Sequence, residues 1–551
     1  MAALELMDRR ELITAFLGAA AWSGCRRAGL EPRAPVPGAL VDRAVEWGHA
    51  LRSEAPLPRA AELERVDVAV VGAGAAGLSA AWRLRGAGVG SLKVLEVDEG
   101  PGGTARSGRN AVSAFPWGAH YLPAPTREGG PVMRLLSGMG LVTGVDDAGR
   151  PRFAEQALVR EPDERLFFRG TWYDGLYLRA GASEEDLRQL HRFEQAMDAL
   201  SRARDGQGRK AFDVPLERGS DDAEWTSLDR LSMAEWLAQE GYTSPRLRWM
   251  VDYACRDDFG ADATAISAYA ATWYFAARHG EGTGSDGYLT WPEGNGRLVA
   301  ELQKALLPGQ LSARALVHAV EPVEGGVAVH AVEAGTRRPL GLLARRVVLA
   351  VPRFVAARLY GPWRQAPPAW LSAFQYTPWA VANLTLSEHP AGRGVPLAWD
   401  NVLYESKSLG YVVATHQRER VVDHGPTVVT WYYPLSGADV KAERERLLSS
   451  GFAEWEALVM ADLSAAHRDI VRTAERLEVM RWGHAMVRPR PGFLFGPERK
   501  AAAASVGAVH FAHSDLGGLA LFEEACHHGV RAAEEVLAAL GERCESWLER
   551  G

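Results

Sequence analysis

The chain has few cysteines, no basic surplus and no long apolar run. Four cysteines in 551 residues cannot form a disulfide scaffold. Lys and Arg total 62 against 69 Asp and Glu, a formal charge of −7, which argues against a general nucleic-acid binder. With 47% hydrophobic and 24% charged residues the composition is that of a globular protein, not a disordered chain or a multi-span membrane protein. No Gly-x-Ser-x-Gly elbow, Cys-x-x-Cys pair or internal repeat is evident. His527-His528 has no further ligand at metal spacing in the sequence, so no metal site is expected. What is plentiful is glycine (57) and tryptophan (18), which suits close backbone–ligand approach and an aromatic pocket.

The N-terminus reads as an address. Arg9-Arg10 precede an uncharged apolar stretch from Leu12 to Gly24, too short to span a bilayer core of about 30 Å. It fits the apolar core of a signal peptide. The paired arginines resemble a twin-arginine export signal, and Ala21-Trp22-Ser23-Gly24-Cys25 resembles a bacterial lipobox, with Trp22 a departure. The expectation is a signal over 1–25, a possible lipid on Cys25 that tethers the chain to a membrane, and a periplasmic or cell-envelope location. Residues 26–62 read as a tether with a short helix around Ala39–Leu51. The twin-arginine route carries folded proteins, often with a cofactor already inserted.

Val66 to Val71 is a β-branched run of strand length. Gly72-Ala73-Gly74-Ala75-Ala76-Gly77 follows at once, and an Ala/Leu-rich helix begins after it. Strand, glycine turn and helix together make a dinucleotide fingerprint. Gly72 permits the tight turn, Gly74 lets a pyrophosphate approach the backbone, and Gly77 lets helix and strand pack closely. A second strand, Leu92–Glu96, ends in a carboxylate nineteen positions beyond Gly77, the spacing of a ribose-hydroxyl acceptor.

Gly100-Pro101-Gly102-Gly103-Thr104-Ala105-Arg106 resembles the second glycine motif of the flavin-containing amine oxidase superfamily, with Thr104 standing where an arginine usually follows the glycine pair. Phe115 to Leu122 resembles the segment that passes beside the flavin ring, and Val509 to Ala525 the C-terminal flavin motif. The resemblance implies an α/β fold: a Rossmann-like FAD-binding domain from 63–125, 286–355 and 476–541, interleaved with a mixed-sheet and helical substrate domain from 126–285 and 356–475. It implies non-covalent FAD held by Gly72, Gly74, Ala75, Ala76, Gly77, Glu96, Gly102, Gly103, Thr104, Arg106, Val317, Asp515, Leu521 and Phe522. It also implies hydride removal from an amine, with O2 or another electron acceptor. The family lysine that reaches flavin N5 is missing from Tyr376–Leu384, where Trp379 or Ala380 falls at its place. Trp482, His120 and Trp379 are the candidate pocket-lining catalytic residues, and His484 a further proton acceptor. The alternatives are a desaturase-like C–C dehydrogenase acting on an apolar substrate and a non-catalytic flavin-bearing lipoprotein subunit.

Overall fold

The computed structural model describes residues 35–42, 44–53, 56–278, 287–417 and 425–548. The segment expected to be a signal, with Cys25, lies outside them. Met1–Val36 and Pro37–Gly551 separate as two units, and the second carries the fold.

Two sheets organise it. The first holds seven strands in the order 311–312, 92–95, 64–71, 339–349, 326–333 and 315–323, with 509–511 also paired to 339–349. Its central pairings are parallel: Val68 to Val71 lie beside Leu92 to Leu95 on one side and Arg346 to Leu349 on the other. Val68, Ala69 and Val70 are fully buried, as a strand covered on both faces requires. A hairpin forms over 315–333 and is extended by Pro339–Leu349, a strand that serves both the hairpin and the parallel core. The C-terminal helix Phe522–Leu540 packs on the helix Ala75–Gly86. A Cβ on Gly529 would lie 2.3 Å from the Ala76 carbonyl oxygen, so its small face meets that helix and not the sheet. This arrangement is the expected Rossmann-like α/β unit.

The second sheet has eight strands in the order 38–40, 474–487, 376–386, 427–434, 410–413, 400–403, 164–168 and 171–174. Two expected boundaries shift here. The strand Ala474–Val487 pairs along Tyr376–Leu386, so the division drawn at 476 falls inside the second sheet. The expected tether is partly built into the fold: Gly38–Leu40 adds to the edge of this sheet, and Ala44–His49 is helical.

Two helices of the second domain start on capping boxes. Ser183 and Asp186 form a reciprocal capping box, as do Ser232 and Glu235. Leu190, Phe193 and Met197 of Glu184–Arg202 are buried, whereas Leu187 stays 39% exposed at the rim of that stripe. Among the described residues no helix is long and apolar enough to cross a membrane.

Candidate functional site

A cavity of about 980 Å³ opens where the first sheet, the second sheet and the C-terminal helix meet. Gly72, Gly74, Ala75, Ala76, Glu96, Gly102, Gly103, Thr104, Val317, Leu521, Phe522 and Trp482 all line it. Residues far apart in sequence thus converge on one void.

Each glycine has a distinct steric reason. Gly72 has φ +98°, and a Cβ there would sit 2.4 Å from the Ala350 carbonyl oxygen. At Gly77 a Cβ would fall 1.9 Å from the Gly72 carbonyl oxygen. Gly77 itself is not part of the lining; it lets the turn close. At Gly74 a Cβ would meet nothing within 4 Å and would enter the cavity instead. That open side is where a diphosphate must come against the backbone.

Two helices begin at the cavity without a side-chain cap: Ala75–Gly86 after Gly74, and Phe522–Leu540 after Leu521. Their first N–H groups lack intrahelical partners and carry the positive end of the helix dipole. Both are therefore offered to anionic or carbonyl oxygens in the cavity. Glu96, 7% exposed, accepts the Ala73 backbone N–H at 2.7 Å and the Asp98 N–H at 2.9 Å. Burial raises its pKa, and these two bonds oppose the rise. The glycine turn is thereby locked to the ribose-side carboxylate. The turn, the carboxylate and the two helix ends fit an FAD-sized dinucleotide.

The remaining expected cofactor residues stand one step back. Arg106 is ion-paired with Asp98, and its guanidinium lies 5.6 Å from the Trp482 ring centroid. It braces the second glycine motif and does not line the cavity. Asp515 is 1% exposed and turned inward. It accepts the Tyr376 hydroxyl at 2.5 Å and the Arg353 backbone N–H at 2.9 Å, while its neighbours His513 and Ser514 line the cavity.

The three candidate catalytic side chains separate. Trp482 lines the cavity and donates its indole N–H to the Trp117 carbonyl at 2.6 Å. Its strand partner Trp379 is 7% exposed and packs beside Gly260, away from the cavity lining. His120 follows Ala119, which does line it, but the imidazole lies 4.9 Å from the Tyr432 ring and 5.4 Å from that of Trp399. The chain at His120 is fixed on the second glycine motif, since Ala119 N–H donates to the Thr104 carbonyl and Tyr432 O–H to the Gly118 carbonyl. Part of the tryptophan surplus finds its place here: Trp117, Trp379 and Trp399 share one core cluster, with Trp482 packed against it.

Behind His120 that cluster meets carboxylates. Burial, then the charges of Asp163 and Asp257, pushes Glu164 up to about 8. Burial and the Glu164 and Asp257 charges raise Asp400 as well. Tyr253 and Tyr432 feel both Asp400 and Asp257.

Several lining residues were not singled out in the sequence: His49, Arg52, Phe354, Tyr376 and Arg444. His484 lines the cavity too and stacks on Phe354 at 4.1 Å. Burial, then the positive charges of Arg444, Arg52 and His49, lowers its pKa to about 3. Cys255 and Cys526 are buried and Cys544 exposed, and none of the three lines the cavity. The fold brings Glu217 to His527-His528, with ligand atoms within 4.8 Å of one another. Its carboxylate is hydrogen-bonded to His527 Nε2 at 3.1 Å.

Comparison with solved structures places the fold. Putrescine oxidase, in the structure titled wild type bound to putrescine, is 19% identical with a TM-score of 0.61, covering 87% of this chain and 100% of that one. Cyclohexylamine oxidase from Brevibacterium oxydans IH-35A is 19% identical with a TM-score of 0.59, covering 86% and 99%. No curated protein matches the chain. The family model of flavin containing amine oxidoreductase matches residues 75–537, and the chain belongs to that family.

Proposed function

We propose that the protein is an FAD-dependent oxidase or dehydrogenase that deaminates a small-molecule amine. The observation that carries this reading is the single cavity shared by the Gly72–Gly77 turn, Glu96, Gly102–Thr104, the start of the C-terminal helix and Trp482. When bound there, FAD supplies a two-electron acceptor for the hydride lost from the carbon bearing nitrogen. The chain supplies the rest. The uncapped helix at Phe522 offers N–H groups where negative charge gathers on reduction. Trp482, held by Trp117, lines the cavity and would limit water beside bound FAD.

The amine must lose its extra proton before hydride can leave. Water then hydrolyses the released imine to a carbonyl compound and ammonia. No described cysteine lines the cavity, which supports non-covalent FAD.

The decisive experiment is anaerobic mixing of the purified holoprotein with a panel of primary amines. Loss of visible flavin absorbance with at least one amine is expected. A flavin that stays oxidised with every amine, yet bleaches with an apolar C–C substrate, would overturn the reading. Admission of air, against added quinone, then identifies the acceptor. The segment at residues 1–25 supports export with FAD already loaded and a lipid on Cys25. Mass spectrometry of the mature N-terminus tests both.

A further inference from the structure

The family match begins at residue 75, yet residues well upstream of it wall the cavity. Gly38–Leu40 runs parallel to Leu477–Val479 at the edge of the second sheet. This contact is tight, since a Cβ on Gly38 would lie 1.7 Å from the Leu477 carbonyl oxygen. Asp42, 8% exposed, then accepts a hydrogen bond from Arg481 at 2.9 Å. Farther on, the guanidinium of Arg314 lies 5.2 Å from the Trp47 ring centroid. Arg314 immediately precedes the strand that carries Val317. The segment is thus a strap fixed to the second sheet at one end and to the nucleotide-binding sheet at the other. Val45 just before Trp47, and Gly48, His49, Leu51 and Arg52 just after it, line the cavity.

The charge around this wall is one-sided. Among the described residues Glu96 is the only carboxylate side chain in the lining, and both of its oxygens already accept backbone N–H groups. Arg444 is held in place by donating to the Gly483 carbonyl at 2.6 Å and the Tyr376 carbonyl at 3.2 Å. Both acceptors are neutral, so its charge stays uncompensated. Among the described residues the side chains of Arg52, His49 and His484 have no ion pair. Arg52 and Arg444 repel each other here, while the His49 and His484 rings, both lowered in pKa, stand as neutral N–H donors; an anion joining them relieves the repulsion and accepts from the rings.

We propose that the strap completes an anion-binding site in the wall of the cofactor cavity, where Arg52 and His49 meet Arg444 and His484 around a phosphate or carboxylate group. That group has two sources: the diphosphate of the dinucleotide itself, or a carboxylate on a second molecule entering beside the flavin. The inference does not depend on the amine reading, because it concerns charge and not the reaction.

The test uses the full-length holoprotein and its Arg52→Glu and Gly38→Ala variants, with thermal melts as a folding control. Arg52→Glu reverses the charge; Gly38→Ala undocks the strap without touching a cation. FAD release is followed by recovery of free-flavin fluorescence. Benzoate binding, against benzyl alcohol as the neutral probe, is followed by perturbation of the flavin spectrum. Release accelerated at least fivefold in both variants supports the site and assigns it to the diphosphate. Benzoate binding weakened at least fivefold in both, with release unchanged, supports the site and assigns it to a second molecule's carboxylate. Wild-type behaviour of Arg52→Glu in both measurements overturns it. So does wild-type behaviour of Gly38→Ala once proteolysis shows its strap to be released.

Discussion

The Tyr376 hydroxyl donates to a carboxylate oxygen of Asp515 at 2.5 Å, and the same oxygen accepts the Arg353 backbone N–H at 2.9 Å. Tyr376 begins a strand of the second sheet and Asp515 follows the last strand of the first, so this bond ties the two sheets together beside the cavity. Burial alone would raise the Asp515 pKa, but the His513 ring, the Tyr376 hydroxyl and the Arg353 N–H bring it below the ordinary 3.8. A depressed carboxyl contributes stability above the unfolded pKa and loses it as the pH falls through the folded value. Tyr376→Phe removes one bond to a buried charge. The expected loss is about 1.5–3 kcal/mol of unfolding free energy at neutral pH. Urea unfolding of wild type and variant measures it, and an equal stability at neutral pH would refute the assignment.

Gly74 and Gly77 are expected to fail differently when changed to alanine. At Gly77 the new Cβ collides with the Gly72 carbonyl oxygen, which is backbone and cannot turn aside. Gly77→Ala is therefore expected to give little folded protein. At Gly74 the Cβ has open space and projects toward the diphosphate position. Gly74→Ala is expected to fold with a near-normal apoprotein melting temperature and to bind FAD at least tenfold more weakly. Circular dichroism and flavin titration of the two variants separate these outcomes.

The contrast between these glycines and the strap shows what a sequence discloses. The turn at Gly72–Gly77 is legible because a local backbone requirement leaves its mark on neighbouring residues. Glu96 is legible because a fixed helix length sets its distance from the turn. His49 and Arg52 carry no such mark. They reach the cavity through pairing of Gly38 with Leu477, a contact that no periodicity announces. Arg106 and Asp515 illustrate a third case. Residue type and position point to the cofactor, but the structure gives Arg106 to Asp98, and Asp515 to Tyr376 and Arg353. Trp379 and Trp482 face each other across the two strands, yet only Trp482 borders the cavity. Cross-strand partners share one face of the sheet, so alternation along a strand cannot resolve that difference.

His467 provides a stability switch far from the chemistry. Its side chain is fully buried, with the Ala391 carbonyl 2.6 Å from Nδ1 and the Tyr411 hydroxyl 2.6 Å from Nε2. A carbonyl can only accept, so Nδ1 carries the proton and Nε2 accepts from Tyr411. Burial, and then the nearby Arg165 charge, lowers the pKa to about 4 from the ordinary 6.5. Between those values the unfolded chain binds a proton that the folded protein refuses. Stability therefore rises with pH through this window and falls as the pH is lowered from 6.5 to about 4. The loss from this one group is expected to be about 3 kcal/mol. His467→Gln has no titrating ring, so its unfolding free energy should fall less steeply over the same window. Urea titrations of both proteins at several pH values give the two slopes, and parallel slopes would exclude His467 as the titrating group.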